Sequence, residues 1–439
     1  MKMKMKMKMK ILLINQFFWP DSSAASQQLT DLAAGLAERG MDVTVLCGEG
    51  GYAGAAGSKP PAGVRILRAK ALPFSRGSLG RILSYLSFYI SAGVRALTAP
   101  RQDVILTLTT PPLISLLGTL LKLLRGSKHF VYEQDMYPDV AIDLKYLKAN
   151  SPITRIIGFL ADLPRRRSNG VIALGECMKT RLLARGIPGD QIVVVENWAN
   201  SVAIQPLPRP GDPTELVLLY SGNFGLAHDM GTLTGAMQAL TGDPRFRFLF
   251  VGSGGRRAEL VSFCELNNIR SAEFRPYVPR DHLSQGLAAG DIGVVTQRAD
   301  CCGTVVPSKV YGILAAGRPV LFIGPRQATP ALIIKRHDCG WIVEPGDVQG
   351  LAKLLFELAR DPGGVQQAGA RGRQALLDFY DMPQSIDRIA SILAGDSVRE
   401  FARLDPHSQK APQLSTPHVH TPAADQTAGL HHPRSQSHA

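Results

Sequence analysis

Nowhere in this chain do about eighteen apolar residues run together without a breaker or a charge. The nearest approach, VILTLTTPPLISLLGTLLKLL, is cut by Pro111-Pro112 and reads as strand, turn and helix, so no transmembrane helix is expected. Nor is a secretory leader expected, because the apolar run ILLI after the opening MKMKMKMKMK is far too short. The six cysteines, Cys47, Cys177, Cys264, Cys301, Cys302 and Cys339, contain no C-x-x-C pair, and a chain of this size needs no staples. Reduced thiols in a cytoplasm follow, and the vicinal Cys301-Cys302 reads as an accident of loop sequence before it reads as redox chemistry. Basic and aromatic residues do not interleave and no nucleic-acid-binding signature stands out, so a nucleic-acid partner is not expected. Glycine and proline are frequent but follow no short period, which removes any collagen-like architecture.

What is present fits a globular protein of two domains. The chain has 439 residues, 45% of them hydrophobic and 19% charged. Lysine and arginine exceed aspartate and glutamate by 13, which favours phosphate-bearing partners such as nucleotides or an anionic membrane face. Apolar strands alternate with amphipathic helices almost throughout, the pattern of parallel α/β sheets. In the first unit KILLINQFF is followed by a helix that gathers Leu29, Leu32, Ala33, Leu36 and Ala37 on one face and stops at Gly40, before the strand MDVTVLC. The Pro-rich QPLPRPGDPTE interrupts the alternation, which then restarts with LVLLYSGNFG. The resulting division is a dispensable repeat at 1–8, a Rossmann-like domain at 9–204, a linker at 205–215, a second Rossmann-like domain at 216–378, a C-terminal helix at 379–396 and a disordered tail at 397–439. A ligand belongs in the cleft between the two domains.

Three loops carry candidate chemistry. Ser221-Gly222-Asn223-Phe224-Gly225 follows the first strand of the second half and exposes backbone N–H groups of the kind that bind phosphate, with His228 just beyond. An ordinary βα turn and a structural histidine are the plain alternatives. FLFVGSGGRRAEL resembles a dinucleotide fingerprint loosely: Gly252, Gly254 and Gly255 are followed by Ala258 where a third glycine would stand, and Glu273 lies near the distance of a ribose-binding acid. The chain's first βα loop, NQFFWPDSSAASQQL, has no glycine, which argues against a nicotinamide cofactor. In GTVVPSKVYGILAAGRPVLFIG, Ser308 is a plausible N-cap for the helix that begins at Lys309. Helix dipole and ammonium would then converge on one spot, as a departing nucleoside diphosphate requires. A capped core helix with a snorkelling lysine is the alternative. In the first half, Glu133, Asp135 and Asp139 cluster after a strand and are suited to orienting an acceptor hydroxyl or a sugar, or else simply open a helix.

Taken in order, YSGNFG, VGSGG, FRPYVPRDHLSQGLAAGDIGVV, PSKVYGILAAGRPVLFIG and GWIVEPGD resemble the family 4 glycosyltransferases. More narrowly, they are similar to the surface-polysaccharide branch, the colanic-acid and O-antigen type. NQFFWPDSSAASQQLTDLAAGLAERGMDVTVLC, YEQDMYPDVAIDL and VVVENWAN extend the likeness over roughly residues 9–396. The resemblance implies a GT-B fold and retaining transfer of a hexosyl group from a UDP- or GDP-sugar, with no bound metal or other cofactor. The second domain would hold the donor through Gly222, Asn223, His228, Gly252, Arg298, Thr304, Ser308 and Lys309. Lys309, Asp135 and Glu133 would serve catalysis, and Ser22, Ser23 and Asp139 would meet the acceptor. The chain departs from the pattern in three places. Thr304 and Gly312 stand where many members carry two glutamates, Ser22-Ser23-Ala24-Ala25 replaces the usual Gly-Gly, and no basic residue follows SGNFG at once.

The segment LGRILSYLSFYISAGVRAL sets arginines among apolar and aromatic residues, and Pro164-Arg165-Arg166-Arg167 adds charge to the same half. Both suit an anionic membrane surface, and a core helix with a solvated turn is the alternative. The reading that results is a cytoplasmic enzyme, peripheral on the inner face of the cytoplasmic membrane, acting on a lipid-linked saccharide. Two rivals stand beside it: a GT-B-fold nucleotide-sugar epimerase and a non-catalytic nucleotide-sugar-binding partner.

Overall fold

Short apolar runs bounded by turn residues become parallel strands buried on both faces, which is why they carry hydrophobic residues continuously instead of at every second position. The computed structural model describes residues 8–49, 59–73, 78–395 and 398. The Met-Lys repeat up to residue 7 and the tail beyond 398 lie outside the described residues. In the first domain the strands are β1 (Lys10–Ile14), β2 (Asp42–Gly48), β3 (Val64–Ala69), β4 (Val104–Thr107), β5 (Lys128–Tyr132), β6 (Gly170–Ala173) and β7 (Ile192–Val194). They form one sheet in the order β3-β2-β1-β4-β5-β6-β7. In the second domain β8 (Leu216–Ser221), β9 (Phe246–Val251), β10 (Ala272–Arg275), β11 (Ile292–Thr296), β12 (Val320–Ile323) and β13 (Gly340–Val343) are ordered β10-β9-β8-β11-β12-β13. All the pairings are parallel, for example Ile11 opposite Val43 and Leu219 opposite Leu249. Strand order reverses direction between β1 and β4 and again between β8 and β11, so each sheet opens a crevice at the carboxyl ends of those pairs.

Helices cover both faces of each sheet. Leu29, Leu32, Ala33 and Leu36 of the helix Ala24–Glu38 are buried against one face of the first sheet. Phe88, Ala92 and Ala96 of the helix Ser78–Thr98 cover the other, against Leu12, Ile14 and Leu46. The helix Met382–Ala394 returns to the first domain: Ile386 fills the space left by the missing side chain of Gly35, and Arg39 is ion-paired to Asp387 at 2.6 Å. The Pro-rich segment is strapped to the second domain by an Arg209–Asp291 pair at 2.7 Å and by Arg318 donating to Leu207 O at 2.8 Å.

Contacts also close the gap between the domains. Met136 N–H donates to Thr304 O at 2.9 Å, Arg181 donates to Cys302 O and Asp300 O at 2.9 and 2.8 Å, and Arg280 pairs with Asp31 at 2.7 Å. Two Rossmann-like domains thus face one another, with the second domain's 299–305 loop resting on the first.

Candidate active site

Lys309 is the first residue of the helix Lys309–Ala315, and its side chain runs back across the crevice between β8 and β11. Its ammonium donates to Tyr220 Oη at 2.6 Å, Asn223 O at 3.1 Å and His228 Nε2 at 3.2 Å. It also lies 4.3 Å from the centroid of the Tyr220 ring. Tyr220 O–H donates in turn to Asn223 O at 2.9 Å. His228 Nδ1 lies 2.8 Å from Thr296 O, and a carbonyl only accepts, so Nδ1 carries the proton and Nε2 faces the lysine as an acceptor. All three partners are neutral. Although its surface is only partly covered, the crevice walls crowd the ammonium enough that burial lowers its pKa to about 7. Burial, and then the Lys309 charge, lower that of His228 to about 3, so the imidazole is neutral. The arrangement is a cation with no counter-charge among the described residues, set at a topological switch point, where an anion would be strongly held.

The glycines create the space for it. A side chain at Gly222 would begin 2.5 Å from Lys309 Cε, and φ there is +136°. One at Gly252 would meet Gly222 O at 2.1 Å, so Gly252 lets the two loops nest and does not itself face a ligand. The Gly222 N–H is spent on Val251 O and the Phe224 N–H on Ser253 O. Among the described residues the N–H groups of Asn223 and Gly225 are left without a partner in the same turn that Lys309 reaches.

Several expectations need correcting. Ser308 occupies the N-cap position but has helical φ and ψ of −78° and −13°, and its side chain makes no cap hydrogen bond. Thr304 is fully buried and cannot meet a donor; its hydroxyl lies 3.0 Å from Asp143 Oδ2 and helps hold the domains together. Glu133 is not a free carboxylate: Arg165 grips both its oxygens, at 2.7 and 3.1 Å. Asp139 is paired with Arg185 at 3.2 Å, and Asp162 joins the two arginines into one network. Arg298 is turned onto Asp300 at 2.5 Å, so its charge is already balanced. Glu273 sits within β10 between Arg247 and Arg275, in no position to read a ribose.

Asp135 is different. Its N–H donates to Thr109 Oγ1 at 3.2 Å, and its carboxylate has no partner among the described residues. It adjoins Met136, which bonds across the cleft, so it stands at the point where the two domains meet. It is partly open to solvent, yet burial, and then the charge of Glu133, raise its pKa to about 6. Ser22 and Ser23 lie at the start of the helix Ala24–Glu38, and Ser23 N–H donates to Asp21 at 2.9 Å.

Two contributors were not picked out from the sequence. Tyr220, the penultimate residue of β8, forms the floor under Lys309; nothing in its surroundings distinguishes it from a core tyrosine. Arg256 donates to His228 O at 3.1 Å and places a guanidinium beside the site while also pairing with Glu259. The signal for it was its position directly after Gly254-Gly255, in the loop weighed for a dinucleotide.

Comparison with known proteins agrees with the two-domain fold. Residues 23–198 match the glycosyl transferase 4-like domain, and residues 215–361 match the glycosyl transferases group 1. WbjE of Pseudomonas aeruginosa, named as a glycosyltransferase, is 25% identical over 350 residues, spanning 76% of this chain and 86% of that protein. WcaI of Escherichia coli K12, named for colanic acid biosynthesis, is 26% identical over 160 residues, or 34% of this chain and 39% of that one. Among solved structures, a sucrose-phosphate synthase of Thermosynechococcus elongatus superposes with a TM-score of 0.71 at 16% identity, over 91% of this chain and all of that one. HepE of Anabaena, solved in complex with UDP, gives 0.65 at 15% identity, over 88% of this chain and all of that one. With a 4-like domain ahead of a group 1 domain and the GT-B arrangement of two Rossmann-like sheets, this chain belongs to the family 4 glycosyltransferases.

Proposed function

We propose that this chain moves a hexosyl group, with retention, from a UDP- or GDP-sugar to a lipid-linked saccharide in cell-envelope polysaccharide assembly, without a metal ion. The observation that carries the donor half is the unpaired Lys309 ammonium, flanked by free amides at the β8/β11 crevice. That HepE was solved with UDP and with UDP-glucose supports the same choice of ligand. A leaving diphosphate would meet Lys309 and the Asn223 and Gly225 amides, with Arg256 beside them, and these donors supply the charge stabilisation that a metal would otherwise bring. In front-face retaining transfer the departing phosphate can itself accept the acceptor's proton, so the protein's work is positioning and charge stabilisation. Asp135, at the domain junction, is the carboxylate free to orient the acceptor hydroxyl. Incubating the protein with labelled nucleotide sugars and a membrane extract tests the reading. Transfer to lipid-linked material supports it, whereas isomerised sugar would favour the epimerase and binding without turnover the non-catalytic partner.

Proton linkage gives a second check. The free Lys309 is largely neutral above pH 7, and a bound diphosphate stabilises its charged form, raising its pKa. UDP binding at pH 8 should then take up about one proton and weaken up to about tenfold per further pH unit, whereas at pH 6 no uptake is expected. Calorimetry in two buffers of different ionisation enthalpy reads this directly; equal heats in both at pH 8 would refute the lysine's role.

Attachment to an anionic membrane is read from the outer face of the first domain. Among the described residues no helix is long and apolar enough to cross a membrane. The helices Ser78–Thr98, Ser115–Arg125 and Pro152–Arg167 adjoin one another through the middle one, and each turns apolar side chains outward. Ile90 is 71% exposed, Leu123 69% and Phe159 63%. A contiguous apolar face of this kind beside the exposed Arg166 and Arg167 suits an interfacial position on anionic lipid. Arg165 is buried in the Glu133 network and is no part of that surface. Reversing the charge of Arg166 and Arg167, or replacing Leu123 and Phe159 by glutamate, should abolish flotation with anionic liposomes without lowering thermal stability. Unchanged flotation in both variants would remove the membrane from the proposal.

A further inference from the structure

The register of the first sheet sets Leu12, Thr44 and Arg65 side by side on β1, β2 and β3, so all three point to the face covered by the helix Ser78–Thr98. Between the last turn of that helix and the three strands lies a cavity of about 200 Å³, far more than the ~30 Å³ of one water molecule. Arg95 and Thr98 stand on its helical wall, and among the described residues no acidic side chain lines it. Arg65 and Arg95 are exposed, and neither pairs with a carboxylate among the described residues. Thr44 is only 4% exposed, and its hydroxyl has no hydrogen-bond partner among the described residues, so it meets the cavity with its bonding capacity unspent. The terminal carbonyls of the helix, which would repel an anion, are occupied: Arg125 donates to Leu97 O and, at 2.6 Å, to Ala99 O.

We propose that this cavity binds a phosphate group, and that the group belongs to the headgroup of an anionic phospholipid. Two unpaired guanidinium groups and a hydroxyl are donors for which phosphate oxygens are the natural acceptors. A phosphate directs its oxygens several ways and can engage both arginine forks and the hydroxyl at once, which the two coplanar oxygens of a carboxylate cannot. The choice of a lipid follows from what adjoins the mouth. Arg95 and Thr98 belong to the last turn of the helix that carries Leu86, Ile90, Val94 and Leu97 outward, so an acyl chain beside that stripe would bring its headgroup to the cavity. The lipid assignment rests on the membrane reading above, whereas phosphate binding by the cavity does not. An occupied cavity would fix the rotation of the first domain on the bilayer, which diffuse attraction of Arg166 and Arg167 to anionic lipid does not.

The test sediments the full-length protein with phosphatidylcholine vesicles that carry either phosphatidic acid or oleate, adjusted to equal surface charge. Binding to the phosphatidic acid vesicles should be about tenfold tighter. Thr44→Val removes the hydroxyl without changing charge or the β-branched shape, and should lower that preference to about threefold. Arg65→Ala combined with Arg95→Ala should abolish it. A preference that survives in both variants would overturn the site. Calorimetry with inorganic phosphate, without vesicles, separates the two sources of the group. If the vesicles are bound equally while inorganic phosphate binds below about 1 mM and Thr44→Val weakens it, the ligand is a soluble phosphate and the lipid assignment falls. If the vesicles are bound equally and inorganic phosphate is not bound, the site itself is overturned. A parent protein that binds neither vesicle would count against the membrane reading, and the phosphate titrations of parent and Thr44→Val would still decide the cavity.

Discussion

Lys309→Ala should lower turnover about a hundredfold, and no less than about tenfold, while leaving the fold intact. The size of the effect follows from the poverty of alternatives. Arg298 is neutralised by Asp300 and Arg256 by Glu259, whereas Lys309 touches only a phenol, a carbonyl and a neutral imidazole. Removing it would leave the diphosphate with backbone amides and partly balanced guanidinium groups. The fold should survive because Tyr220 O–H keeps its own bond to Asn223 O, and alanine is a favourable first residue for a helix. Steady-state kinetics with the identified donor, alongside circular dichroism and UDP calorimetry, measures both halves. Kinetics equal to the parent protein would reduce Lys309 to a structural residue.

Arg165→Met should destabilise the first domain by about 3–5 kcal/mol, the largest stability effect expected of a single side chain here. Arg165 holds Glu133 with two hydrogen bonds, Asp162 with a third at 2.9 Å and Tyr137 O with a fourth at 3.1 Å, all well inside the protein. Methionine of similar length fills the volume but leaves Glu133 without its counter-charge. A carboxylate stranded in that way prefers its protonated form, so the deficit should shrink as pH falls from 8 towards 5. Urea denaturation followed across that range is the measurement. A loss below about 1 kcal/mol at pH 8 would mean that the network carries little of the fold. Arg165 also bonds Tyr137 O, so the variant should disturb Asp135 and the acceptor side even where it remains folded.

These two residues show where sequence reading stopped. Lys309 was legible because its neighbours in sequence, a turn and a helix start, already describe the site. Arg165 was read as surface charge because it stands in a run of three arginines. Its burial arises from long-range packing that brings Glu133, 32 residues earlier, under the helix Pro152–Arg167. Thr304 was misplaced for a related reason. It belongs to a loop whose sequence looks like a ligand cradle, but it is claimed by Asp143 of the other domain, 161 residues away. The Asp135 segment holds three carboxylates within seven residues, and only the tertiary structure separates the two that are neutralised by arginines from the one left open.

By itself the sequence determined the alternation of strands and helices, the two sheets and the loops where their carboxyl ends must gather, because these follow from local apolar patterning and turn chemistry. Only the tertiary structure decided which charges in those loops remain unpaired, since pairing depends on partners from distant segments and on how much water the packing leaves between them. Tyr220 beneath Lys309 and Arg256 beside His228 are both pairings of that second kind.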